Sequence, residues 1–266
     1  MKIHFIAGLT RSGSTLLAGI LKQNPAFVAG PTSPVMRIFQ SIEHGTSSEG
    51  DLSYTISDEQ KLALRRAVFT SMYPQKDRVI FDKNHFWTGK MNVLTMLFPE
   101  TVVICCVRNL AWVMDSWERV YQSSPFEMSR FFNFKVDTTV YLRCARLASS
   151  EGVVGRSFDA LKEAYYGTWR NRLHFVEYTQ LVTQPAATMR GLYEAIGEPF
   201  FQHDFDNVEI SLDEFDRNTG MPGLHFVGRK VKFTPRDTIL PPDLFNRYRD
   251  NDFWISHDHD LAQEVA

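Results

Sequence analysis

Three cysteines in 266 residues are too few for a disulfide framework. Their placement argues the same way: Cys105 and Cys106 are adjacent in TVVICCV, and Cys144 stands alone in YLRCARL. No pair has metal-ligand spacing, so free buried thiols and a reducing, intracellular setting are expected, with no metal site. Charge of one sign is also missing. Lys+Arg 29 against Asp+Glu 31 leaves a net charge of −2, which excludes the broad positive field of a nucleic-acid or anionic-membrane binder. Long apolar runs are absent too. The amino-terminal one is interrupted by His4, ends at Thr10 and Arg11, and carries no signal-peptide cleavage pattern. The expected location is the cytoplasm, without membrane or nucleic acid as partner. With no internal repeat and no low-complexity linker, residues 1–266 are expected to form a single domain, since two would be crowded in this length.

What the chain does have is alternation. Four short apolar runs, Ile3–Ala7, Arg78–Phe81, Thr101–Val107 and Leu173–Glu177, have the character of buried parallel strands. Segments of helical pattern separate them. STLLAGILKQNP puts Leu16, Leu17, Ile20 and Leu21 on one face and stops at Asn24-Pro25. SDEQKLALRRAVFTSMYP opens with Ser57 as N-cap and Gln60 at the capping-box position. LAWVMDSWERVYQ and QPAATMRGLYEAIGEP follow, the latter with Pro185 in its first turn and Gly197 past its end. The pattern predicts an α/β fold, a parallel β-sheet flanked by helices. Residues 122–170 break the rhythm with aromatic clusters and no strand. They are expected to form a helical cap over the carboxyl edge of the sheet, or else helices on its flank. The tail from Pro222 to Trp254 has little periodicity and a break at Pro241-Pro242.

The stretch GLTRSGST, residues 8–15, follows the first strand with nearly the spacing of a nucleotide-phosphate loop, but Ser14 stands where the lysine belongs. A strand, a glycine-containing turn and a helix N-terminus together make an anion site, because converging N–H groups and the helix dipole favour negative charge. Gly13 permits the turn, Ser12, Ser14 and Thr15 add hydroxyl donors, and Arg11 supplies a cation at a different place from the missing lysine. A second feature is Arg108, leaving the carboxyl end of TVVICCV, with Ser116 eight residues on, about two helical turns away. An arginine there points into the crevice where α/β folds bind ligands. A plain salt bridge and a surface serine are the bland reading of each residue alone. The third feature is FDKNHFW, in which Lys83 and His85 share a side of an extended chain. Lone histidines are usually satisfied polar groups, but this one, beside a lysine and the crevice, is placed to take a proton from an attacking hydroxyl.

Together these segments resemble the sulfotransferases that use 3′-phosphoadenosine 5′-phosphosulfate. GLTRSGSTLL is similar to their 5′-phosphosulfate loop, RNLAWVMDS to their 3′-phosphate motif, and KNH to the Lys-x-His of the cytosolic branch, whose histidine is the catalytic base. FVEYTQLVTQPAATMRGLYEAIGEP resembles the strand-tyrosine-helix segment that brings a tyrosine, here Tyr178, near adenine. FVGRKVKF matches the late basic loop, giving Arg229 and Lys230. Thr10 replaces the usual proline, and Arg-Lys-Val replaces Arg-Lys-Gly. The start of the chain also looks like the branch that sulfates protein tyrosines, which takes its base from a glutamate after the loop. PTSPVMRIF has no carboxylate there, which leaves His85.

The resemblance implies sulfuryl transfer from this donor to a hydroxyl acceptor, a small molecule, with no metal ion. Arg11, Ser12, Gly13, Ser14 and Thr15 would hold the 5′-phosphosulfate, and Arg108 and Ser116 the 3′-phosphate. Arg11 would stabilise the leaving group, Lys83 the sulfonyl oxygens, and His85 would act as base. Two rivals stand beside it. One is an ATP-dependent phosphotransferase with a degenerate loop, using Asp82 and Thr15 as Mg²⁺ ligands. The other is a non-catalytic nucleotide-binding module.

Overall fold

The computed structural model describes residues 1–47, 53–75, 77–123, 139–210, 212–218 and 223–255. Its strands are β1 (Lys2–Gly8), β2 (Phe27–Ala29), β3 (Val79–Lys83), β4 (Val103–Val107) and β5 (Leu173–Glu177). They form one all-parallel sheet in the order β2-β3-β1-β4-β5. The helices are α1 (Ser14–Leu21), α2 (Val35–Gly45), α3 (Asp58–Met72), α4 (Met91–Leu97), α5 (Leu110–Ser123), α6 (Val140–Ala148), α7 (Val153–Tyr166), α8 (Tyr178–Thr183), α9 (Pro185–Ile196), α10 (Asp213–Asn218) and α11 (Pro242–Arg249). The expected α/β class holds. β2 is the strand that periodicity misses, because three residues between Pro25 and Gly30 are too few to show any.

Side chains of the central strands alternate between two cores, as the period of two requires. Ile3, Phe5 and Ala7 join Val103, Cys105 and Val107 under α2 to α7 and α11. Ile6, Ile104 and Cys106 face α1, α8 and α9. Adjacent Cys105 and Cys106 therefore point to opposite faces, both buried and reduced. Local signals fall where expected. Ser57 and Gln60 close a reciprocal capping box on α3, Pro185 opens α9, and Gly197 ends it in the left-handed conformation. The Pro241-Pro242 pair is not a break but a helix start: Pro242 is the first residue of α11.

The helix after β1 lies on one face, whereas those after β3 and β4 lie on the other. The connections diverge at the carboxyl end of β1, which is where an open α/β sheet leaves a crevice. Of the expected cap, α6 and α7 pack on the flank: Arg156 of α7 stacks over Phe86 at 4.5 Å, and Val154 and Leu161 enter the larger core. Val153 alone of the described part of 122–170 reaches the crevice. The SPFEMSRFFNF cluster, residues 124–134, lies outside the described residues.

Candidate active site

β1 delivers the chain into a loop that has little room. Gly8 has φ +94° and a Cβ there would lie 2.4 Å from the Cys106 carbonyl oxygen. Gly13 has φ +87° and its Cβ would meet the Tyr178 ring at 2.8 Å. Only glycine fits either place. The Ser12 hydroxyl is fully buried within reach of the carbonyls of Leu9 and Cys106, 2.9 Å from the latter, so it ties the loop to β4 and does not face the crevice. Thr10, where the resemblance would place proline, accepts a hydrogen bond from Trp117 Nε1 at 2.9 Å and fastens the loop to α5.

Arg11 sits at φ 59°, the left-handed region that a non-glycine residue seldom occupies. Its side chain explains why the conformation persists. Nε donates to Ser116 Oγ at 3.0 Å and a terminal nitrogen donates to the Leu224 carbonyl, so the guanidinium is aimed from both sides. Burial, then the neighbouring charge of Arg108, lowers its pKa to about 10, which leaves it protonated at neutral pH. Arg108 stacks over the Tyr178 ring at 4.3 Å and points a nitrogen at the Arg11 carbonyl, 3.5 Å away. Ser116 thus meets Arg11 directly.

From β3, Lys83 enters the same site, 4% exposed. Its Nζ donates to Thr15 Oγ1 at 2.9 Å and to the Pro31 carbonyl at 2.6 Å. The cation missing from position 14 is supplied in space by the neighbouring strand. Burial lowers the Lys83 pKa to about 8. Asp82, one residue earlier, faces the opposite way and is fully buried. Its carboxylate accepts from Ser33 Oγ at 2.5 Å, Tyr73 OH at 2.7 Å and Trp87 Nε1 at 2.7 Å. A residue held in the core by three donors is no Mg²⁺ ligand for a nucleotide, which corrects that element of the ATP reading. Beyond the extended Asn84, His85 begins a short 3₁₀ segment, His85–Lys90, and is half-buried. Burial first and Lys83 second lower its pKa to about 3, against a backbone hydrogen bond with Gly8 that works the other way. Its Nδ1 is buried with no partner among the described residues.

These groups wall one cleft of about 410 Å³, together with Gly13, Ser14, Thr15, Trp117 and Val153. The late loop contributes differently from its sequence assignment. Arg229 does not line the cleft; it lies 3.6 Å from Glu209, both largely exposed. Lys230 lines it, with Nζ 2.7 Å from Asp206. Arg236, which no motif singled out, lines it as well and is paired at 2.7 Å with Asp115, a fully buried carboxylate on α5. Asp115 also accepts from the Ile239 amide at 2.8 Å, fixing this part of the tail against the helix that carries Ser116. His225 is the other residue missed. It lines the cleft, and its ring Nδ1 lies 2.5 Å from Asp216 Oδ1. The basic run 229–232 was the visible signal nearby, but nothing in local spacing couples a histidine to an aspartate nine residues earlier. Among the described lining residues there are several cations and no carboxylate.

A family model described as "Sulfotransferase family" matches residues 4–202. The chain belongs to the sulfotransferase family. Solved structures with the same fold include the sulfotransferase domain from the Synechococcus PCC 7002 olefin synthase, at 18% identity, TM-score 0.54, and coverage of 94% of this chain and 88% of that one. The sulfotransferase domain from the curacin biosynthetic pathway is likewise 18% identical, with TM-score 0.53 and 75% of each chain covered. A sulfotransferase from Alicyclobacillus acidocaldarius aligns at 13% identity and TM-score 0.50, over 82% of this chain and 89% of that one. A search of curated proteins gives no match. No helix among the described residues is long and apolar enough to cross a membrane.

Proposed function

We propose that this sulfotransferase moves a sulfuryl group from 3′-phosphoadenosine 5′-phosphosulfate to the hydroxyl of a small molecule, in the cytoplasm and without a metal ion. The observation that carries the reading is the lining of the cleft: Arg11, Lys83, Arg108 and Arg236 converge there with no described carboxylate among them. Such a site fits a ligand with two separated anionic groups, and no carboxylate among the described lining residues is there for the magnesium of a triphosphate. The glycine positions agree, since the backbone at Gly8 and Gly13 leaves no room for a side chain between loop and neighbours.

When bound, the donor supplies an activated sulfuryl group on a phosphate leaving group. The loop amides, Ser14 and Thr15 would hold the 5′ end. Arg11, fixed by Ser116 and Leu224, stands ready to stabilise charge that builds on the bridging oxygen. Lys83 would neutralise the sulfonyl oxygens. Arg108, with Tyr178 beneath it, and Arg236 would hold the 3′-phosphate and select this donor over ordinary adenylates. Lys230 and Arg229 stand further out, in exposed ion pairs. Trp117, Val153, Leu224 and Phe226 give the cleft an apolar side suited to the body of an acceptor. Its proton has to pass to a base, and the two imidazoles among the described lining residues are His85 and His225. The resemblance nominates His85, and His225 stands on the same cleft.

The test is incubation of the protein with radiolabelled donor and a metabolite extract in EDTA. Transfer of label to an extract component is the expected result. No transfer, alongside phosphoryl transfer from Mg-ATP, would overturn the reading.

A further inference from the structure

Resting on the sulfuryl-transfer reading, we propose that His225, held by Asp216, is the group that accepts the acceptor's proton, in place of His85. The two carboxylate oxygens of Asp216 grip the same residue: Oδ1 lies 2.5 Å from the His225 ring Nδ1, and Oδ2 accepts from its backbone N–H at 2.7 Å. Asp216 is 1% exposed, so its charge is screened little by water. The ring contact with a carboxylate orients the imidazole and favours the tautomer with its proton on Nδ1, while the backbone bond holds His225 beside Asp216. With Nδ1–H committed to Asp216, proton exchange with a substrate falls to Nε2 on a residue that walls the cleft.

The comparison with His85 turns on what surrounds each imidazole once it is charged. The described groups whose charge acts on His85 are Lys83, His225 and Arg11, none of them a carboxylate, and a backbone hydrogen bond with Gly8 opposes them. Among the described residues no carboxylate offsets an imidazolium formed there. His225 feels Lys83 and Arg11 too, and burial lowers its pKa, but Asp216 works in the other direction through both a hydrogen bond and its charge. Of the two cleft histidines, His225 is the one built to become positive. In the step, the acceptor O–H bond breaks toward Nε2 as its oxygen bonds to sulfur. The bond from sulfur to the bridging oxygen breaks, and the electron pair leaves with 3′-phosphoadenosine 5′-phosphate. The imidazolium then returns its proton to solvent.

The experiment uses the full chain with 3′-phosphoadenosine 5′-phosphosulfate and measures release of 3′-phosphoadenosine 5′-phosphate, with 4-nitrophenol, simple alcohols, or water as acceptor. H225N should lose about 10²-fold or more in rate, with affinity for the spent donor within about threefold of wild type. D216N should slow the reaction and also move the acidic limb of the pH–rate profile to lower pH, since the imidazolium loses its partner. A merely structural role for Asp216 would lower the rate without moving that limb. A normal rate in H225N, or an acidic limb abolished by H85N and untouched in H225N, overturns the proposal while leaving sulfuryl transfer standing. Absence of both donor-dependent release and binding of the spent donor in wild type fails the underlying reading instead. Should wild type bind but turn over too slowly to measure, ¹⁵N NMR titration of the imidazoles in the nucleotide complex decides. His225 titrating above His85 supports the assignment, and the reverse order overturns it.

Discussion

Arg108 is the residue on which donor selectivity rests in this account. It leaves β4 into the cleft and stacks on Tyr178 at 4.3 Å. Arg108→Ala should weaken 3′-phosphoadenosine 5′-phosphate by roughly 2–5 kcal/mol, the range for a buried charge-assisted contact. Adenosine 5′-phosphate should be nearly unaffected, and calorimetric titration of both ligands checks it. Equal losses would mean that Arg108 is structural. At this scale the sequence is informative wherever a side chain's direction follows from its element. Lys83 and Asp82, adjacent on β3, must point to opposite faces, and the structure sends the lysine to the loop and the aspartate to Tyr73, Ser33 and Trp87. The sequence is silent where partners come from afar. Ser12 turning inward, Ser116 meeting Arg11, and Asp216 meeting His225 are decided by packing that no local spacing encodes.

The strand-loop-helix element β1–α1 was legible because three local requirements coincide: an apolar run, glycines at turn positions, and a helix-forming run behind them. Gly13 makes the coincidence testable. Alanine there would sit at φ +87° against the Tyr178 ring. The backbone alone costs about 1–2 kcal/mol, so Gly13→Ala should lower the melting temperature and remove nucleotide binding together. Wild-type affinity in that variant would show that the loop does not cradle the ligand. The tail was the least legible element. Its route over the cleft depends on long-range anchors, chiefly Asp115, which holds Arg236, Thr238 and the Ile239 amide against α5. Asp115→Asn keeps the shape and removes the charge. It should cost about 1–3 kcal/mol and weaken binding of the 3′-phosphorylated nucleotide, read by thermal melts and titration. An unchanged affinity would separate Arg236 from the ligand.

For the molecule as a whole, the fold class followed from alternation of apolar runs and helical patterns, whereas the edge strand β2 and helix α11 did not, one being too short and the other masked by prolines. The assembled charge of the cleft makes two pH dependences of opposite sign. Burial lowers Lys83 from 10.5 to about 8, so between those values the unfolded chain binds more protons and stability of the ligand-free protein should rise with pH. An anionic ligand favours the protonated lysine, so affinity for 3′-phosphoadenosine 5′-phosphate should fall as pH rises through about 8. Lys83→Met should flatten both curves; curves unchanged in that variant would assign the titration elsewhere. The central claim is that the loop and Arg108 hold a 3′-phosphorylated adenylate without metal. Thermal unfolding in EDTA with 3′-phosphoadenosine 5′-phosphate, set beside Mg-ATP, tests it most directly. At a hundredfold excess over the dissociation constant the account predicts about 2.7 kcal/mol of stabilisation by the former, and a smaller effect of the latter. No shift with 3′-phosphoadenosine 5′-phosphate, together with a clear shift from Mg-ATP, would contradict it.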